Sequence, residues 1–220
     1  MHINMKIQTI TPGKGKLFEI TLEDEQKLWL HADLVQSEFL HPGDDLDDAR
    51  IADLKRQAAE HRAYEYGLYL LEKRGYSYRE LYDKLMTAPQ AQEDAVLAAL
   101  EKLMRYGFLN DALYAEQLAR HFVEGKKYGL KRAEYEMRHR GLSQEDIDDA
   151  LAAYDDAEQI SAQLLEILQK KYARWLTDPD DRKMTEKVTA ALVRRGYTYQ
   201  QIRYAIEDYY AMTEDADNDE

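Results

Sequence analysis

The spacing of hydrophobic and polar positions changes near residue 46. Before that point, short segments with partly alternating apolar residues occupy positions 5–10, 16–22 and 27–30. Such alternation is typical of half-buried strands, and a Pro-Gly-Lys-Gly turn at residues 12–15 separates the first two segments. We therefore predict a small N-terminal β-hairpin or three-stranded meander, followed by a helical turn near residues 33–38.

From Asp47 onward, apolar residues recur three or four positions apart, which is the spacing of one helix face. The apolar stripes consist of Ala59, Ala63, Tyr66 and Leu70; Leu97, Leu100 and Met104; Ile147, Leu151 and Tyr154; Ile160, Leu164, Leu168, Tyr172 and Trp175; and Met184, Val188, Ala191 and Leu192. Short breaks separate these stripes. The pattern predicts helices that pack as a bundle or array.

An internal repeat occurs at residues 74–77, 140–143 and 195–198, with the sequences Arg-Gly-Tyr-Ser, Arg-Gly-Leu-Ser and Arg-Gly-Tyr-Thr. Arg favours the negative end of a helix, and Gly can supply the left-handed residue that closes it. The Ser or Thr then caps the next helix, and the Glu, Asp or Gln three residues later completes a capping box in at least two of the three joints. The repeat predicts three helix–turn–helix joints, with a looser fourth joint at residues 107–110, where Asn110 is the cap.

The predicted fold is mainly α: an elongated array of three-helix, helix-turn-helix-like repeats after the small β element. We place a β-rich extension at residues 1–46, a linker helix and first three-helix unit at 47–106, a second unit at 107–155, a third at 156–211, and a disordered acidic tail at 212–220. The repeated glycines lie 66 and 55 residues apart, which fits degenerate units better than a strict solenoid. Residues 207–220 contain seven acidic residues and no Lys or Arg, which favours disorder at the end of the chain.

The net charge of −13 argues against a generic nucleic-acid binder, because phosphate contacts need a basic face. The charge is uneven, however, and residues 120–140 contain seven basic residues against three acidic ones. The seven are Arg120, Lys126, Lys127, Lys131, Arg132, Arg138 and Arg140. They form either an ordinary solvated helix face or a contact for an acidic protein surface or DNA phosphate. We expect Leu130, Ala133 and Met137 to form the buried stripe of that helix.

Several classes of function have no sequence signal. The chain has no Cys, which excludes disulfides and thiolate chemistry. The six His residues lack helical metal-binding spacing, and the basic loop at 126–129 is not a Walker loop. We therefore predict no catalytic residues, no metal and no cofactor. The absence of a signal peptide and of a long apolar segment predicts a cytoplasmic protein that does not contact membranes.

Two further residue types have open interpretations. Arg74, Arg140 and Arg195 fit a structural role at the joints, and contact of some of them with a partner is the alternative interpretation. The 17 tyrosines favour packing between short helices, while exposed ones such as Tyr78 and Tyr199 are candidates for base stacking or protein contacts.

Three segments carry a family resemblance. They are Leu-Glu-Lys-Arg-Gly-Tyr-Ser at residues 71–77, Leu-Met-Arg-Tyr-Gly-Phe-Leu-Asn-Asp at 103–111, and the basic segment at 126–142. In this order and spacing, residues 61–154 resemble the bacterial RecX family, the regulators of the recombinase RecA. The β extension before three helical units is similar to the longer members of that family.

The resemblance implies a function. RecX-like proteins bind RecA and its filament on single-stranded DNA, and they inhibit filament extension, ATP hydrolysis and strand exchange in DNA repair, homologous recombination and the SOS response. It implies that the seven basic residues include the RecA- and DNA-binding contacts of a monomer. Two alternatives remain: a helical protein that binds DNA directly without RecA, and an enzyme whose site the sequence does not reveal.

Overall fold

A computed structural model of the chain describes residues 4–218. The fold is mainly helical, with a small antiparallel sheet at its N-terminal end, as predicted. It divides between Leu109 and Asn110 into two compact units, which we call the N-terminal and C-terminal units. No helix within residues 4–218 is both long enough and apolar enough to cross a membrane.

The N-terminal sheet has four strands, one more than predicted. They are β1 (Met5–Pro12), β2 (Leu17–Leu22), β3 (Lys27–His31) and β4 (Asp45–Leu46), in the order β3-β2-β1-β4. β4 pairs with the start of β1 through Met5–Leu46 and Lys6–Asp45. Its two residues are too few to give an alternating pattern, which is why the sequence did not reveal it.

One short helix lies between β3 and β4, and one long helix follows β4. The short α1 (Ala32–Ser37) confirms the predicted helical turn, and α2 (Asp48–Lys73) is one long helix that includes both the linker helix and the first helix of the first three-helix unit. Its first half covers the apolar face of the sheet with Ile51 and Leu54, which are both buried. Its second half approaches the next helices at Gly67, where an added Cβ would lie 2.7 Å from the Leu103 side chain.

The remaining helices complete three groups of three. They are α3 (Tyr78–Met86) and α4 (Glu93–Arg105); α5 (Asp111–Arg120), α6 (Leu130–His139) and α7 (Gln144–Ala152); and α8 (Ala157–Ile167), α9 (Arg182–Arg194) and α10 (Tyr199–Asn218). α5 continues into a π-helical turn at His121–Gly125. The longer helix predicted from Ile160 to Trp175 is wrong in its second half, because α8 changes at Leu168 into a π-helical and then a 3₁₀ turn.

The predicted helix–turn–helix joints are confirmed by their capping hydrogen bonds. The Ser77 hydroxyl accepts from the Glu80 amide at 3.1 Å, and the Ser143 hydroxyl accepts from the Asp146 amide at 3.0 Å. Thr198 makes the equivalent bond to Gln201 at 3.2 Å. Asn110 caps the looser fourth joint by accepting from the Leu113 amide at 3.0 Å. Local capping chemistry therefore starts each of these helices.

One detail of the predicted joints is wrong, namely the backbone conformation of Gly75. Gly141 and Gly196 are left-handed, with φ of 80° and 96°, but Gly75 is not among the glycines with positive φ. α2 ends instead at Arg74 in an extended conformation, with φ of −162° and ψ of 168°. The first joint therefore lacks the left-handed glycine that ends the preceding helix at the second and third joints.

α10 continues to Asn218, through residues that we had assigned to a disordered tail. The sequence after Thr198 contains neither Gly nor Pro, so no residue breaks the helix. Residues 219 and 220 of that predicted tail lie outside the described part of the chain.

Candidate interaction surface

The basic segment that contains the seven cations, residues 120–140, begins at the end of α5 and ends at the joint after α6. It therefore lies entirely in the C-terminal unit. The predicted buried stripe is confirmed: Ala133 and Met137 are fully buried, and Leu130 packs against the same core. Arg120, Lys126, Lys131 and Arg138 are exposed, whereas Lys127, Arg132 and Arg140 are half-buried. The seven side chains therefore do not form one uniform surface.

The loop before α6 is held by the third joint. Arg195 Nη1 donates to the carbonyl oxygens of Lys126 and Lys127 at 3.2 Å and 3.3 Å, and the Tyr197 hydroxyl donates to the Lys127 carbonyl at 3.2 Å. In the opposite direction, the Gly129 amide donates to the Arg195 carbonyl at 2.8 Å. These bonds hold Lys127 in a left-handed conformation, with φ of 56°. The position of the basic loop is therefore fixed by residues about seventy positions later in the chain.

Lys127 and Arg132 take part in contacts within the C-terminal unit. Lys127 Nζ lies 3.2 Å from Oε2 of Glu166. Lys170 Nζ lies 2.7 Å from Oε1 of the same carboxylate. The hydrogen bonds from Lys170 and then Lys127 lower the pKa of Glu166. Arg132 forms an ion pair with Glu136 on the same helix. Both cations are therefore already partly neutralised.

Two aromatic rings lie beside the Arg132 guanidinium. The Arg132 guanidinium is 5.2 Å from the centre of the Tyr135 ring and 5.9 Å from that of Tyr128. Tyr135 is exposed and stacks on His139 at 6.2 Å. The outer face of α6 therefore combines a cation with exposed aromatic surface, a composition that is common in protein interfaces.

The cations at the end of α6 are separate from those at its start, since ten helical residues span about 15 Å. Arg138 pairs with Glu134 and donates to Gln144 Oε1 at 2.7 Å. Arg140 Nη1 donates to the Tyr114 hydroxyl at 3.1 Å, which joins this end of α6 to α5. The structure thus groups Lys126, Lys127, Lys131 and Arg132 at one end of α6, and Arg138 and Arg140 at the other.

Lys126 and Lys131 differ from Lys127, Arg132 and Arg138, which form ion pairs within the protein. Both are exposed, and neither side chain makes an ion pair with any residue in the described chain. They flank the start of α6, whose first turn contains no acidic residue. We call them the lysine pair. Among the four cations grouped at the start of α6, they are the charges best placed to meet an external anion.

The comparisons with known proteins concern these same helices. The family models for the second and third three-helix domains of RecX match residues 110–151 and 157–206. The regulatory protein RecX of Stenotrophomonas maltophilia is 32% identical over 151 residues, which is 69% of this chain and 89% of that protein. The chain belongs to the RecX family. The regulatory protein RecX of Streptococcus gordonii is 25% identical over 217 residues, covering 98% of this chain and 81% of its own length.

Solved structures share the fold. A crystal structure of regulatory protein RecX aligns with a TM-score of 0.73 at 23% identity, over 93% of this chain and 99% of the other. RecX from Lactobacillus salivarius aligns with a TM-score of 0.63 at 24% identity, over 70% and 97% of the two chains. The two matched three-helix domains of the RecX family correspond here to α5–α7 and α8–α10.

Sequence reasoning missed two features of this surface. Arg195 was assigned to its own joint, but it hydrogen-bonds the loop before α6. A second basic group, formed by Lys170, Lys171 and Arg174, lies in the turns after α8. In the sequence, this group is a short run of basic residues between the apolar positions of the stripe from Ile160 to Trp175. The apolar spacing predicts a helix there but does not indicate a basic surface.

The other candidate residues have mixed positions. Tyr199 is 71% exposed, as expected. Tyr78 is half-buried and packs against the core of the first three-helix unit. The Arg74 guanidinium lies 3.6 Å from the centre of the Tyr76 ring and 3.2 Å from Glu80. Arg74 therefore has a structural role at its joint, as predicted, whereas Arg140 and Arg195 hydrogen-bond α5 and the loop before α6.

Proposed function

We propose that this RecX-family chain is a non-catalytic regulator of RecA. In this proposal it acts in the cytoplasm as a monomer, binds RecA and RecA filaments on single-stranded DNA, and inhibits filament extension, ATP hydrolysis and strand exchange. Membership of a family whose proteins are named regulatory proteins supports a regulatory role. The observation that carries the binding proposal is the exposed lysine pair at the start of α6, within a chain of net charge −13.

The seven basic residues have two roles in this proposal. The exposed Arg120, Lys126, Lys131 and Arg138 make electrostatic contacts with acidic RecA surface or DNA phosphate. The half-buried Lys127, Arg132 and Arg140 hold the surface in shape through their contacts with Glu166, Glu136 and Tyr114. A loop that is already fixed by Arg195 loses little conformational freedom on binding, which favours affinity.

The net charge of −13 favours a RecA–DNA filament over bare DNA as the target. A strongly acidic protein is repelled by the phosphate backbone at long range, so a small basic patch gains little free energy from DNA alone. A protein surface that adds apolar and aromatic contacts, such as those of Tyr135, offsets that repulsion.

A direct DNA-binding function is the second candidate. α6 and α7 form a helix–turn–helix joint with cations on the outer face of α6, and this observation favours direct contact with DNA. The two candidates differ in whether RecA is required.

A binding experiment separates them. Labelled single-stranded DNA is titrated with the protein, alone and after RecA has been assembled on it with a non-hydrolysable ATP analogue. We expect saturable binding only with RecA present, and weaker binding as salt is raised, because charged contacts are screened. Equal affinity for bare DNA and for the filament would support the direct DNA-binding candidate instead.

The surface is tested with Lys126→Glu/Lys131→Glu. Both side chains are exposed, so folding should change little, whereas filament binding should weaken by at least about tenfold. The matched control is Lys14→Glu/Lys55→Glu, which makes the same charge change at exposed positions of the N-terminal unit. If both double variants bind alike, the lysine pair is not the contact surface.

A further inference from the structure

Two histidines and an aspartate come together in the N-terminal unit, outside the surface discussed above. His31 is the last residue of β3, and His61 lies in the middle of α2. Their ring centres are 4.2 Å apart with the ring planes tilted by 49°. Asp33 Oδ2 lies 3.3 Å from His31 Nδ1. One possible metal-ligand atom from each of the three residues lies within 4.8 Å of the other two.

The His61 ring has an unsatisfied nitrogen. Its Nε2 atom is buried and has no hydrogen-bond partner in the described part of the chain. Burying a polar nitrogen without a partner is unfavourable, and native proteins satisfy most such atoms. The ring of His31 lies against that of His61, yet no hydrogen bond joins them. This nitrogen is therefore available as a ligand atom.

We propose that His31, His61 and Asp33 bind a divalent transition-metal ion, and specifically Zn²⁺. Neutral imidazole and carboxylate are preferred zinc ligands, and three protein ligands are sufficient to hold the ion with one further position for water or another side chain. Zinc–ligand bonds of about 2 Å in a tetrahedron place ligand atoms about 3.3 Å apart. The present spread of up to 4.8 Å needs only modest side-chain rotation to reach that geometry.

The surroundings supply a fourth candidate ligand. Glu65 follows His61 by one turn of α2, and it lines the same cavity of about 290 Å³ as both histidines. Lys16 and Arg62 also line this cavity and oppose a cation there. Both are long, exposed side chains that can extend into solvent, while the three proposed ligands are held by β3, by α1 and by α2.

The role of this site is structural. Zn²⁺ would join the end of β3 and the start of α1 to the middle of α2, and so hold the sheet on the long helix. An ion that binds only the folded state raises the free energy of unfolding by an amount that grows with the logarithm of its concentration over its dissociation constant. This inference does not depend on the proposed function, since it concerns a different unit of the protein.

Untagged full-length protein, first treated with a chelator, is titrated with Zn²⁺ by calorimetry. A parallel titration with Co²⁺ reports ligand geometry through its visible absorption. We expect one tight site per chain, a tetrahedral Co²⁺ spectrum and a higher melting temperature with Zn²⁺. His31→Gln and Asp33→Asn should each weaken Zn²⁺ binding by at least about tenfold, because each removes one of the three proposed ligands.

The control is His41→Gln. His41 is an exposed histidine of the same unit that lies 4.0 Å from a carboxylate oxygen of Asp44, so it has an isolated His–Asp pair without a second imidazole. This variant should bind Zn²⁺ like the wild type. Asp33 has an exposed side chain, so Asp33→Asn keeps the test valid if His31→Gln does not fold. Absence of saturable binding in the wild type, or wild-type affinity in Asp33→Asn, would overturn the proposal.

Discussion

Gly129 and Gly196 are in backbone contact: a Cβ added to Gly129 would lie 2.5 Å from the carbonyl carbon of Gly196. Gly196 also lies against the first turn of α6, since a Cβ on Gly196 would lie 2.4 Å from the Arg132 amide nitrogen. The start of α6 therefore packs directly on the third helix–turn–helix joint. Side chains larger than hydrogen do not fit at either position without movement of the backbone.

The first prediction follows from this contact. Gly129→Ala should lower the free energy of unfolding by about 1–3 kcal/mol, because backbone atoms must shift to accept the methyl group. Urea denaturation measures the change. Gly125→Ala is the control and should cost little, since its Cβ would lie 3.9 Å from the side chain of His121. Equal stability of the two variants would show that the contact is not tight in solution.

The second prediction concerns the loop before α6. Arg195→Gln removes the charged donor to the carbonyls of Lys126 and Lys127. The amides of Lys126 and Gly129, which are hydrogen-bonded in this loop, should then exchange with solvent deuterium about tenfold faster. Arg194→Gln is the matched control, since Arg194 is an exposed neighbour at the end of α9. Unchanged exchange in Arg195→Gln would mean that other contacts hold the loop.

The third prediction compares two helix caps. Ser143→Ala should cost about 1 kcal/mol, the usual value for an exposed N-cap. Ser77→Ala should cost more, since Ser77 is fully buried and forms a reciprocal capping box with Glu80. Thermal and urea unfolding of both variants provide the comparison. A smaller loss at Ser77 than at Ser143 would contradict the importance of its burial.

The fourth prediction is a pH dependence at Tyr197. Burial raises the pKa of this tyrosine, whose hydroxyl accepts from Gln163 Nε2 at 2.6 Å. Above the ordinary tyrosine pKa of about 10, the unfolded chain loses this proton while the folded chain keeps it. The contribution of Tyr197 to stability is therefore complete below about pH 10 and decreases as pH rises further.

Tyr197→Phe and Tyr199→Phe form the test pair. The stability advantage of the wild type over Tyr197→Phe should shrink between about pH 8.5 and about pH 10.5, while its difference from Tyr199→Phe should stay nearly constant. Tyr199 is an exposed tyrosine of the same joint, so Tyr199→Phe removes a hydroxyl without disturbing the core. A constant advantage at Tyr197 would show that its hydroxyl ionises freely in the folded protein.

Local chemistry made much of the fold predictable. The caps at Ser143 and Thr198 depend on residues three positions away, so the sequence was sufficient to place these helix starts. β4 was missed because two residues carry no periodicity. At Gly75, the same Arg-Gly pattern has a different backbone conformation. The left-handed glycines of the second and third joints therefore do not predict the conformation of the first.

The candidate surface was less predictable because it depends on long-range contacts. The basic residues were visible in the sequence, but nothing local indicates that Arg195 binds the carbonyl of Lys126, 69 positions earlier. Nor does spacing alone predict which cations are already paired within the protein. The approach of His31 and His61 likewise requires β3 to lie on α2, a contact between distant elements.

The most direct test of the central claim is the rate of ATP hydrolysis by RecA on single-stranded DNA. We expect the wild-type chain to inhibit hydrolysis in a dose-dependent and salt-sensitive manner. Lys126→Glu/Lys131→Glu should need at least about tenfold more protein for the same inhibition, while Lys14→Glu/Lys55→Glu should behave like the wild type. A wild-type chain that leaves RecA hydrolysis unchanged at saturating concentration would contradict the account.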